Sequence, residues 1–156
     1  MTAIRRAGTA DIAAVAALAQ DAYAVYIPVI GRKPEPITVD YADIVAAGDT
    51  WVMADGARIV AALVLRDGGD HLLIWSVAVA SDCQHRGLGQ ALLAWAEKQA
   101  RLRGRTELRL YTNARMARNI AIYERQGYAE SGREQRADRV LVHMAKRLPP
   151  APGPVP

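Results

Sequence analysis

The sequence predicts an α/β fold with a mixed, largely antiparallel sheet and helices on both faces. The apolar residues change from a helical to an extended period at Trp51, and both periods recur after it. Strands joined by tight turns run antiparallel, whereas a strand–helix–strand crossing is of parallel type, and both connections follow Trp51. We therefore expect the order β-α-α-β-β-β-α-β-α-β-β in a single domain over residues 1–147.

The first part of the chain is expected to form one short strand and two helices. Ile4–Arg6 is the strand, and Thr9 is the predicted N-cap of a helix that runs to about Tyr26. Residues 27–36 include three prolines and a glycine, so we predict a loop there. Thr38 is predicted to cap the second helix.

The rest of the chain alternates between strands and helices. Asp55-Gly56 separates two β-rich runs and is a strong hairpin signal. Leu88, Leu92, Trp95 and Leu102 form the apolar stripe of a helix that Gly104 ends. The predicted strands are 51–53, 58–65, 71–79, 107–111, a strand from Tyr128 and 140–144, and the last helix is 114–126.

Composition predicts a globular protein, and the single cysteine leads us to expect it in the cytoplasm. Apolar residues make up 51% and charged residues 23% of the chain, which is the usual balance for that class. No apolar run is expected to reach the about 18 residues of a membrane span, and no apolar segment of a signal peptide follows Arg5 and Arg6. The single Cys83 cannot form an internal disulfide. Residues 148–156 are proline-rich and are predicted to be a disordered tail.

A glycine-rich turn after the longest predicted strand is the first candidate site. Val77-Ala-Val79 ends the strand, and Gln84-His-Arg86-Gly87-Leu-Gly89 leads into a helix. Glycines let a ligand approach the backbone closely, and a helix start offers unpaired N–H groups and a positive dipole end. Such a turn can hold a phosphate, although a lone Gly-x-Gly is more often an ordinary strand-to-helix turn.

A second candidate segment lies one strand further on. Asn119 and Tyr123 are four residues apart and therefore share one helix face. An amide and a phenol on that face could bind the polar stem of a ligand and supply a proton. The alternative is that Tyr123 is a core aromatic whose hydroxyl finds a partner inside the protein.

Together the two segments resemble the GNAT superfamily of acetyl-CoA-dependent N-acetyltransferases. Gln84 to Gly89 fits the family's Gln/Arg-x-x-Gly-x-Gly/Ala loop. Asn119 to Tyr123 fits its Asn-x-x-x-Tyr helix, which Gly127-Tyr128 closes. The predicted order of elements also fits this fold, with splayed central strands, over roughly residues 3–147.

The resemblance implies transfer of an acetyl group from acetyl-CoA to a primary amine of a small molecule or peptide, by direct attack in a ternary complex. It implies that the backbone at Ala78 and Val79 pairs with the pantetheine arm. Asn119 would bind the pantetheine, and Tyr123 would protonate the departing thiolate as general acid. The residues implied to hold the cofactor are Val77, Ala78, Val79, Gln84, His85, Arg86, Gly87, Leu88, Gly89, Gln90, Asn119, Tyr123 and Arg125.

The central strand departs from the family pattern at the general base. Relatives often carry a glutamate near Trp75, and none stands there in this chain. A base is needed because an alkyl amine with a pKa of ~10.4 is protonated at neutral pH, and deprotonation costs about 4–5 kcal/mol. His71 is the predicted base, since histidine exchanges protons near neutral pH. Ser76 holding a water, and Glu35 or a tyrosine of the early loop, are the alternatives.

The loop after the central strand is a second departure from the family pattern. Many relatives carry a proline where Ala80-Ser81 stands, so this loop is expected to be less rigid.

The resemblance also implies where the acceptor binds. The acceptor is expected to enter between the first two helices and the sheet, and the charges of the region favour neither a cationic nor an acidic acceptor. The residues predicted to line this cleft are Tyr23, Tyr26, Trp51 and Trp75.

Three other functions fit the sequence less well than acetyl transfer. A dinucleotide site of the Rossmann type is disfavoured because Leu92 stands where the third glycine belongs. The arginines after the glycine turn could face nucleic acid, but they lack interleaved aromatics, so no nucleic-acid partner is predicted. A non-catalytic CoA-binding or sensor module of the same fold is the main alternative. No metal site is predicted, and homodimer formation, frequent in the family, is left open.

Overall fold

The computed structural model describes residues 3–149 of the chain. The order of elements follows the prediction, with one additional short helix. The strands are β1 Ile4–Arg6, β2 Thr50–Asp55, β3 Arg58–Asp67, β4 Leu72–Val79, β5 Glu107–Asn113, β6 Ala129–Gln135 and β7 Val140–Arg147. The helices are α1 Ile12–Tyr23, α2 Ile27–Ile30, α3 Tyr41–Ala46, α4 Leu88–Leu102 and α5 Ala117–Arg125.

The sheet is mixed and mostly antiparallel, which confirms the predicted fold class. Its strand order is β1-β2-β3-β4-β5-β7-β6. The β2–β3 hairpin turns at Gly56, whose φ of 63° is the conformation that glycine adopts readily. The crossing from β4 through α4 to β5 is parallel, with Leu72 opposite Leu108. The last strand, β7, lies between β5 and β6 and is antiparallel to both.

The chain forms two compact units. The first comprises the described residues up to Leu65 together with Trp75–Leu92, and the second comprises Arg66–Ile74 and the described residues from Leu93. The start of β4 therefore belongs to the second unit and its end to the first. The single domain expected over residues 1–147 stays a prediction.

The core of the first unit lies on β2 and β3. Residues 60–65 of β3 are all buried, as in a strand covered on both faces. Val52 and Leu63 are fully buried, and α1 contributes Val15 and Leu18 from one face of the helix. This periodic burial is the amphipathic pattern on which the helix was predicted.

The first turn before α1 begins differently from the prediction. Gly8, not Thr9, precedes the 3-10 turn Thr9–Asp11, and the Gly8 N–H donates to the Asp11 carboxylate at 2.8 Å. Arg5 donates to both oxygens of that carboxylate, at 2.8 and 2.9 Å. Thr9 is therefore wrong as the predicted cap, because Asp11 satisfies the backbone donor from inside the turn.

Acid should weaken this part of the fold through Asp11. Hydrogen bonds from Arg5 and then from the Gly8 N–H lower the Asp11 pKa from 3.8 to about 2. A carboxylate whose pKa is depressed by folding stabilises the protein above its unfolded pKa and loses that contribution as the pH falls through the folded pKa. We expect the free energy of unfolding, measured by denaturant titration, to fall more between pH 4 and 2 in the wild type than in Asp11→Asn. Arg5→Ala should lose most of the difference, and equal pH dependence in all three proteins would contradict the assignment.

The segment predicted as a loop, residues 27–36, is partly helical. Ile27–Ile30 forms α2, and Pro28 is tolerated because it occupies the first turn, where a missing N–H costs no hydrogen bond. Gly31 ends α2 with φ 75°. The cap of the next helix also differs: Asp40 accepts the Ala42 N–H at 2.9 Å, and the predicted cap Thr38 instead donates to the Glu35 carbonyl.

The N-terminal helical stretch corrects one expectation from composition. Thr9–Ile30, 22 residues, is long and apolar enough to cross a membrane by length and composition. Its only charged residues are Asp11 and Asp21. Core helices of soluble proteins and signal sequences meet the same criterion. The absence of a membrane partner therefore stays a prediction.

The second unit has its core on β5 and β7. Leu108 and Leu110 alternate with half-exposed residues along β5, and Val142 and Met144 are buried on β7. On α4 the buried stripe passes through Ala96 and Ala100, whereas Leu102, predicted to belong to it, is 70% exposed. Ala100, in the same last turn, is fully buried, so Leu102 is exposed because it lies to one side of the buried stripe.

The C-terminal segment is described only in part. The predicted tail begins at Leu148, yet Leu148 is buried and its N–H donates to the Thr106 carbonyl at 2.8 Å. This residue is therefore packed and not frayed. Residues 150–156, which make up most of the predicted tail, lie outside the described residues.

Candidate functional site

The turn between β4 and α4 has the open donor groups expected of an anion site. α4 begins at Leu88 and has 15 residues. The Ala91 N–H is the first to bond back into the helix, to the Gly87 carbonyl at 3.0 Å. The N–H groups of Leu88, Gly89 and Gln90 therefore have no acceptor within the helix. Together with the positive end of the helix dipole, they form a place where a phosphate oxygen can bind.

The backbone of this turn is shaped for close approach by a ligand. Gly87 has φ 80°, and His85 has φ 66°, the one positive φ among the described residues other than glycine. Such a conformation costs about 1–3 kcal/mol and is concentrated at ligand-binding segments. A Cβ at Gly87 would meet nothing within 4 Å, and a Cβ at Gly89 would meet only Val79 Cγ2 at 4.0 Å. The turn thus has both the donors and the open space that a pyrophosphate needs.

The segment that enters the turn is held by side chains from two other elements. The Asp21 carboxylate on α1 accepts the Ser81 N–H at 2.8 Å and the Ser81 hydroxyl at 2.9 Å. Arg58 on β3 donates to both oxygens of Asp82, at 2.9 and 2.7 Å. These contacts constrain the loop that was expected to be less rigid without a proline at Ala80-Ser81.

Asp21 was missed by the sequence analysis, although a signal was present. It lies near the C-terminus of α1, where a negative charge is opposed by the helix dipole. An acidic residue that its own helix disfavours, at the end of an apolar stretch, indicates a partner outside the helix.

Tyr23 contacts the end of β4. Its hydroxyl donates to the Val77 carbonyl at 2.9 Å and lies 3.1 Å from the Ser76 hydroxyl. Burial raises the Tyr23 pKa, so the phenol keeps its proton and remains a donor at neutral pH. Ala78 is buried and Val79 is half-buried on the same strand. Tyr23 therefore does more than provide the aromatic wall predicted for it.

Glu35 reaches the central strand through Trp75. The indole N–H of Trp75 donates to a Glu35 carboxylate oxygen at 3.2 Å, although 40 residues separate the two in sequence. Tyr41 donates to the Pro36 carbonyl at 2.6 Å and holds the turn that carries Glu35. The structure thus places a carboxylate beside the strand position where the sequence lacks one.

The other two aromatic residues of the predicted cleft are in different surroundings. The Tyr26 ring lies 6.4 Å from the Tyr23 ring, centroid to centroid. Trp51 lies under the Arg6 guanidinium, 4.6 Å from the ring centroid, and donates to Asp49 at 3.1 Å. These contacts place Trp51 in the β1–β2 pair and give it a structural role there.

In the second unit, α5 holds the predicted amide and phenol. Asn119 donates through its side-chain nitrogen to the Thr112 hydroxyl at 3.2 Å, which orients the amide. Tyr123 is buried, and its ring stands edge-on to Tyr128 at 5.7 Å. Both Asn119 and Tyr123 lie within α5, one turn apart as predicted, and Arg125 is exposed in its last turn.

His71, the predicted base, is held in the turn before β4. Its Nδ1 lies 2.6 Å from an Asp70 carboxylate oxygen, and this bond is the main cause that lowers the Asp70 pKa. The ring covers Gly68, where a Cβ would overlap it. Within the second unit, His71 lines an open depression with Tyr111 and His143. A histidine oriented by a carboxylate is an arrangement that can accept a proton.

Metal ligands are not grouped in the part of the chain that the structure describes. Among residues 3–149, no set of three or more His, Cys, Asp or Glu side chains is arranged to hold a metal ion. Cys83 is buried in the 3-10 turn Ser81–Cys83, and its thiol donates to an Asp82 carboxylate oxygen at 3.5 Å.

Known structures share this architecture. The PaiA N-acetyltransferase of Thermoplasma acidophilum, solved with coenzyme A, is 16% identical, with a TM-score of 0.77 over 94% of this chain and 99% of its own. A ribosomal-protein alanine N-acetyltransferase of Escherichia coli is 23% identical, with a TM-score of 0.77 over 99% of both chains. YncA of Salmonella typhimurium, solved with acetyl-CoA, is 18% identical, with a TM-score of 0.71 over 99% of this chain and 98% of its own.

At these identities the similarity to solved structures establishes the fold. No curated protein matched the sequence. The family itself is shown by a sequence model, which covers the glycine turn, Asn119 and Tyr123. The model of the acetyltransferase (GNAT) family matches residues 14–128, more than half of the 156 residues, and the chain therefore belongs to the GNAT acetyltransferase family.

Proposed function

We propose that the protein transfers an acetyl group from acetyl-CoA to a primary amine of a small molecule or peptide, by direct attack in a ternary complex. The observation that carries the proposal is the turn at Gly87 and Gly89, where open space, unpaired helix donors and the strained His85 coincide. Membership of the family supports acetyl transfer, and the relatives solved with coenzyme A or acetyl-CoA support the cofactor.

The residues of the turn and of β4 are proposed to bind the cofactor. The N–H groups from Gly87 to Gln90 hold the pyrophosphate, and the exposed Arg86 and Arg125 neutralise phosphate charge. The backbone of Val77, Ala78 and Val79 aligns the pantetheine arm as an added strand would. Asn119 binds the same arm through its oriented amide. When bound, acetyl-CoA supplies the thioester that the amine attacks.

Three proton transfers accompany the proposed reaction. The acceptor ammonium loses one proton to the base before its nitrogen bonds to the acetyl carbon, and Tyr123 donates its phenolic proton to the thiolate that leaves as the C–S bond breaks. The nitrogen that has bonded to the acetyl carbon then loses a second proton, which returns Tyr123 to the phenol and leaves the neutral amide. His71, oriented by Asp70, is the proposed base. Glu35 is the second candidate because its bond to Trp75 holds a carboxylate beside β4. The cytoplasmic location and the oligomeric state stay predictions.

Thermal unfolding with and without acetyl-CoA tests the proposal first. At 100 times Kd the ligand should stabilise the native state by about 2.7 kcal/mol, seen as a rise of about 5–10 °C in Tm. Release of free thiol is then followed with a panel of primary amines. No shift at saturating acetyl-CoA would contradict the proposal. A shift without thiol release from any amine would favour the alternative, a non-catalytic CoA-binding module.

The same thiol assay separates the two candidate bases. Loss of the base lowers kcat/KM most at low pH, where little of the amine is deprotonated without help. We expect this change of pH profile in His71→Ala and not in Glu35→Gln. The reverse result would assign the base to Glu35.

A further inference from the structure

The C-terminal turn of α1 is hydrogen-bonded to β4, the strand that is proposed to bind the cofactor, and to the segment after β4. Tyr23 donates to the Val77 carbonyl at 2.9 Å and lies 3.1 Å from the Ser76 hydroxyl. Asp21, two residues earlier, accepts the Ser81 N–H at 2.8 Å and the Ser81 hydroxyl at 2.9 Å. The two side chains thus hold both ends of the stretch from Val77 to Ser81. All these residues belong to the first unit.

Neither side chain serves the stability of α1 itself. A carboxylate near a helix C-terminus is opposed by the helix dipole. A partly buried phenol is stabilised by a hydrogen-bond partner, and Tyr23 finds it on β4 and not within its helix. Ser76 is buried, whereas Tyr23 and Val77 are half-buried, so the two hydroxyls and the Val77 carbonyl satisfy each other's hydrogen bonds in a partly buried site.

The stretch between the two anchors is the part of β4 that the proposed function assigns to the pantetheine arm, and it leads into the pyrophosphate turn. A backbone that is already held in the bound conformation loses less entropy when the ligand binds. Resting on that proposed function, we propose that Asp21 and Tyr23 are positioning residues for the cofactor, which hold Val77–Ser81 ready for acetyl-CoA and couple its binding to α1.

The proposed coupling between cofactor binding and α1 has a consequence that can be tested. α1 also packs against the turn Glu35–Ile37, which carries the candidate base Glu35, and against α3. If cofactor binding favours the conformation that α1 holds, then binding must stabilise α1 in return, because linkage is reciprocal. Through α1, cofactor binding at β4 and the position of the Glu35–Ile37 turn can therefore influence each other within this unit.

Tyr23→Phe removes one hydroxyl and tests the first anchor, and Tyr41→Phe is its matched control. Tyr41 is a buried tyrosine of the first unit that, like the half-buried Tyr23, donates to a backbone carbonyl, but its acceptor is Pro36 and not β4. Both variants should lower Tm by similar amounts. Only Tyr23→Phe should weaken coenzyme A binding, with Kd raised about 3- to 10-fold when measured by calorimetry well below Tm. Equal Kd values for both variants would overturn the proposal.

Two substitutions at Asp21 test the second anchor. Asn keeps an acceptor oxygen for the Ser81 N–H and can donate to the Ser81 hydroxyl, whereas Ala keeps neither. We expect Asp21→Ala to raise the Kd of coenzyme A about 3- to 10-fold and Asp21→Asn to bind nearly as well as the wild type. An unchanged Kd in Asp21→Ala, or an Asn variant as weak as the Ala variant, would show that these hydrogen bonds do not position the cofactor.

Hydrogen exchange gives a readout that a merely structural role would not change. Coenzyme A should slow exchange of the α1 amides in the wild type, and this protection should shrink in Tyr23→Phe but not in Tyr41→Phe. Protection confined to the turn and β4 would overturn the coupling. If wild-type protein binds no coenzyme A, the proposed function itself has failed. If it binds and all variants bind equally well, only this inference has failed.

Discussion

Replacing Gly89 with tryptophan is expected to raise the Kd of acetyl-CoA by more than about 100-fold while the protein stays folded. Gly89 lies in the first turn of α4 with ordinary backbone geometry, and a Cβ there would contact only Val79 Cγ2 at 4.0 Å. The indole would fill the open space above the donors of the helix start. Loss of several charge-assisted hydrogen bonds to a pyrophosphate is worth at least about 3 kcal/mol, which is more than 100-fold in affinity.

Calorimetry measures the Kd of acetyl-CoA, and the Tm without ligand shows whether the variant is folded. Gly8→Trp is the control, because Gly8 is exposed with nothing within 4 Å of its Cβ position and lies outside the turn. It should bind as the wild type does. Gly87→Ala provides a contrast: its φ of 80° strains an L-residue by about 1–2 kcal/mol, so this variant should lower Tm even without ligand. Near-normal binding by Gly89→Trp would remove the turn from the cofactor site.

The second large effect is expected from Tyr123→Phe, which should lower kcat about 100- to 1,000-fold with little change in the Kd of acetyl-CoA. General acid catalysis by a positioned side chain contributes about 10²–10⁴-fold. A phenylalanine keeps the buried ring and its edge-on contact with Tyr128. An effect on kcat with binding intact is the signature of a group that acts only in the transition state.

Tyr128→Phe is the control for this experiment. Tyr128 is buried beside Tyr123, and its hydroxyl has no hydrogen-bond partner among the described residues. Burial raises the Tyr128 pKa well above its usual range, so the group is a poor proton source. We expect nearly normal kcat and equal or higher Tm in Tyr128→Phe. If Tyr123→Phe keeps kcat within about threefold of the wild type, the thiolate takes its proton from elsewhere.

Features determined by neighbouring residues were predictable. Asp55-Gly56 produces its hairpin because the turn needs the positive φ that Gly56 adopts at 63°. The strand-to-helix turn at Gly87 was identified for a similar reason, and Asn119 and Tyr123 share α5 because their spacing matches its period. In each case the deciding interactions lie within a few residues.

The predictions were wrong where the local sequence is compatible with more than one structure. Pro28 is compatible with a loop and with the first turn of a helix, and the helical solution is the one adopted. Asp40 and Thr38 are both capable caps, and Asp40 accepts the helix N–H while Thr38 bonds to Glu35. Leu102 was assigned to the apolar stripe of α4, but the stripe that is buried passes through Leu92, Ala96 and Ala100 and leaves Leu102 to one side.

The sequence by itself determined the fold class, the order of elements and the two motifs that carry the family resemblance, because each depends on short-range patterns. Only the tertiary structure decided that β7 lies between β5 and β6. It also brought Glu35 to Trp75 across 40 residues and Asp21 to Ser81 across 60. Such pairs leave no periodic signal, since each partner alone is an ordinary polar residue whose role depends on what the folded chain places beside it.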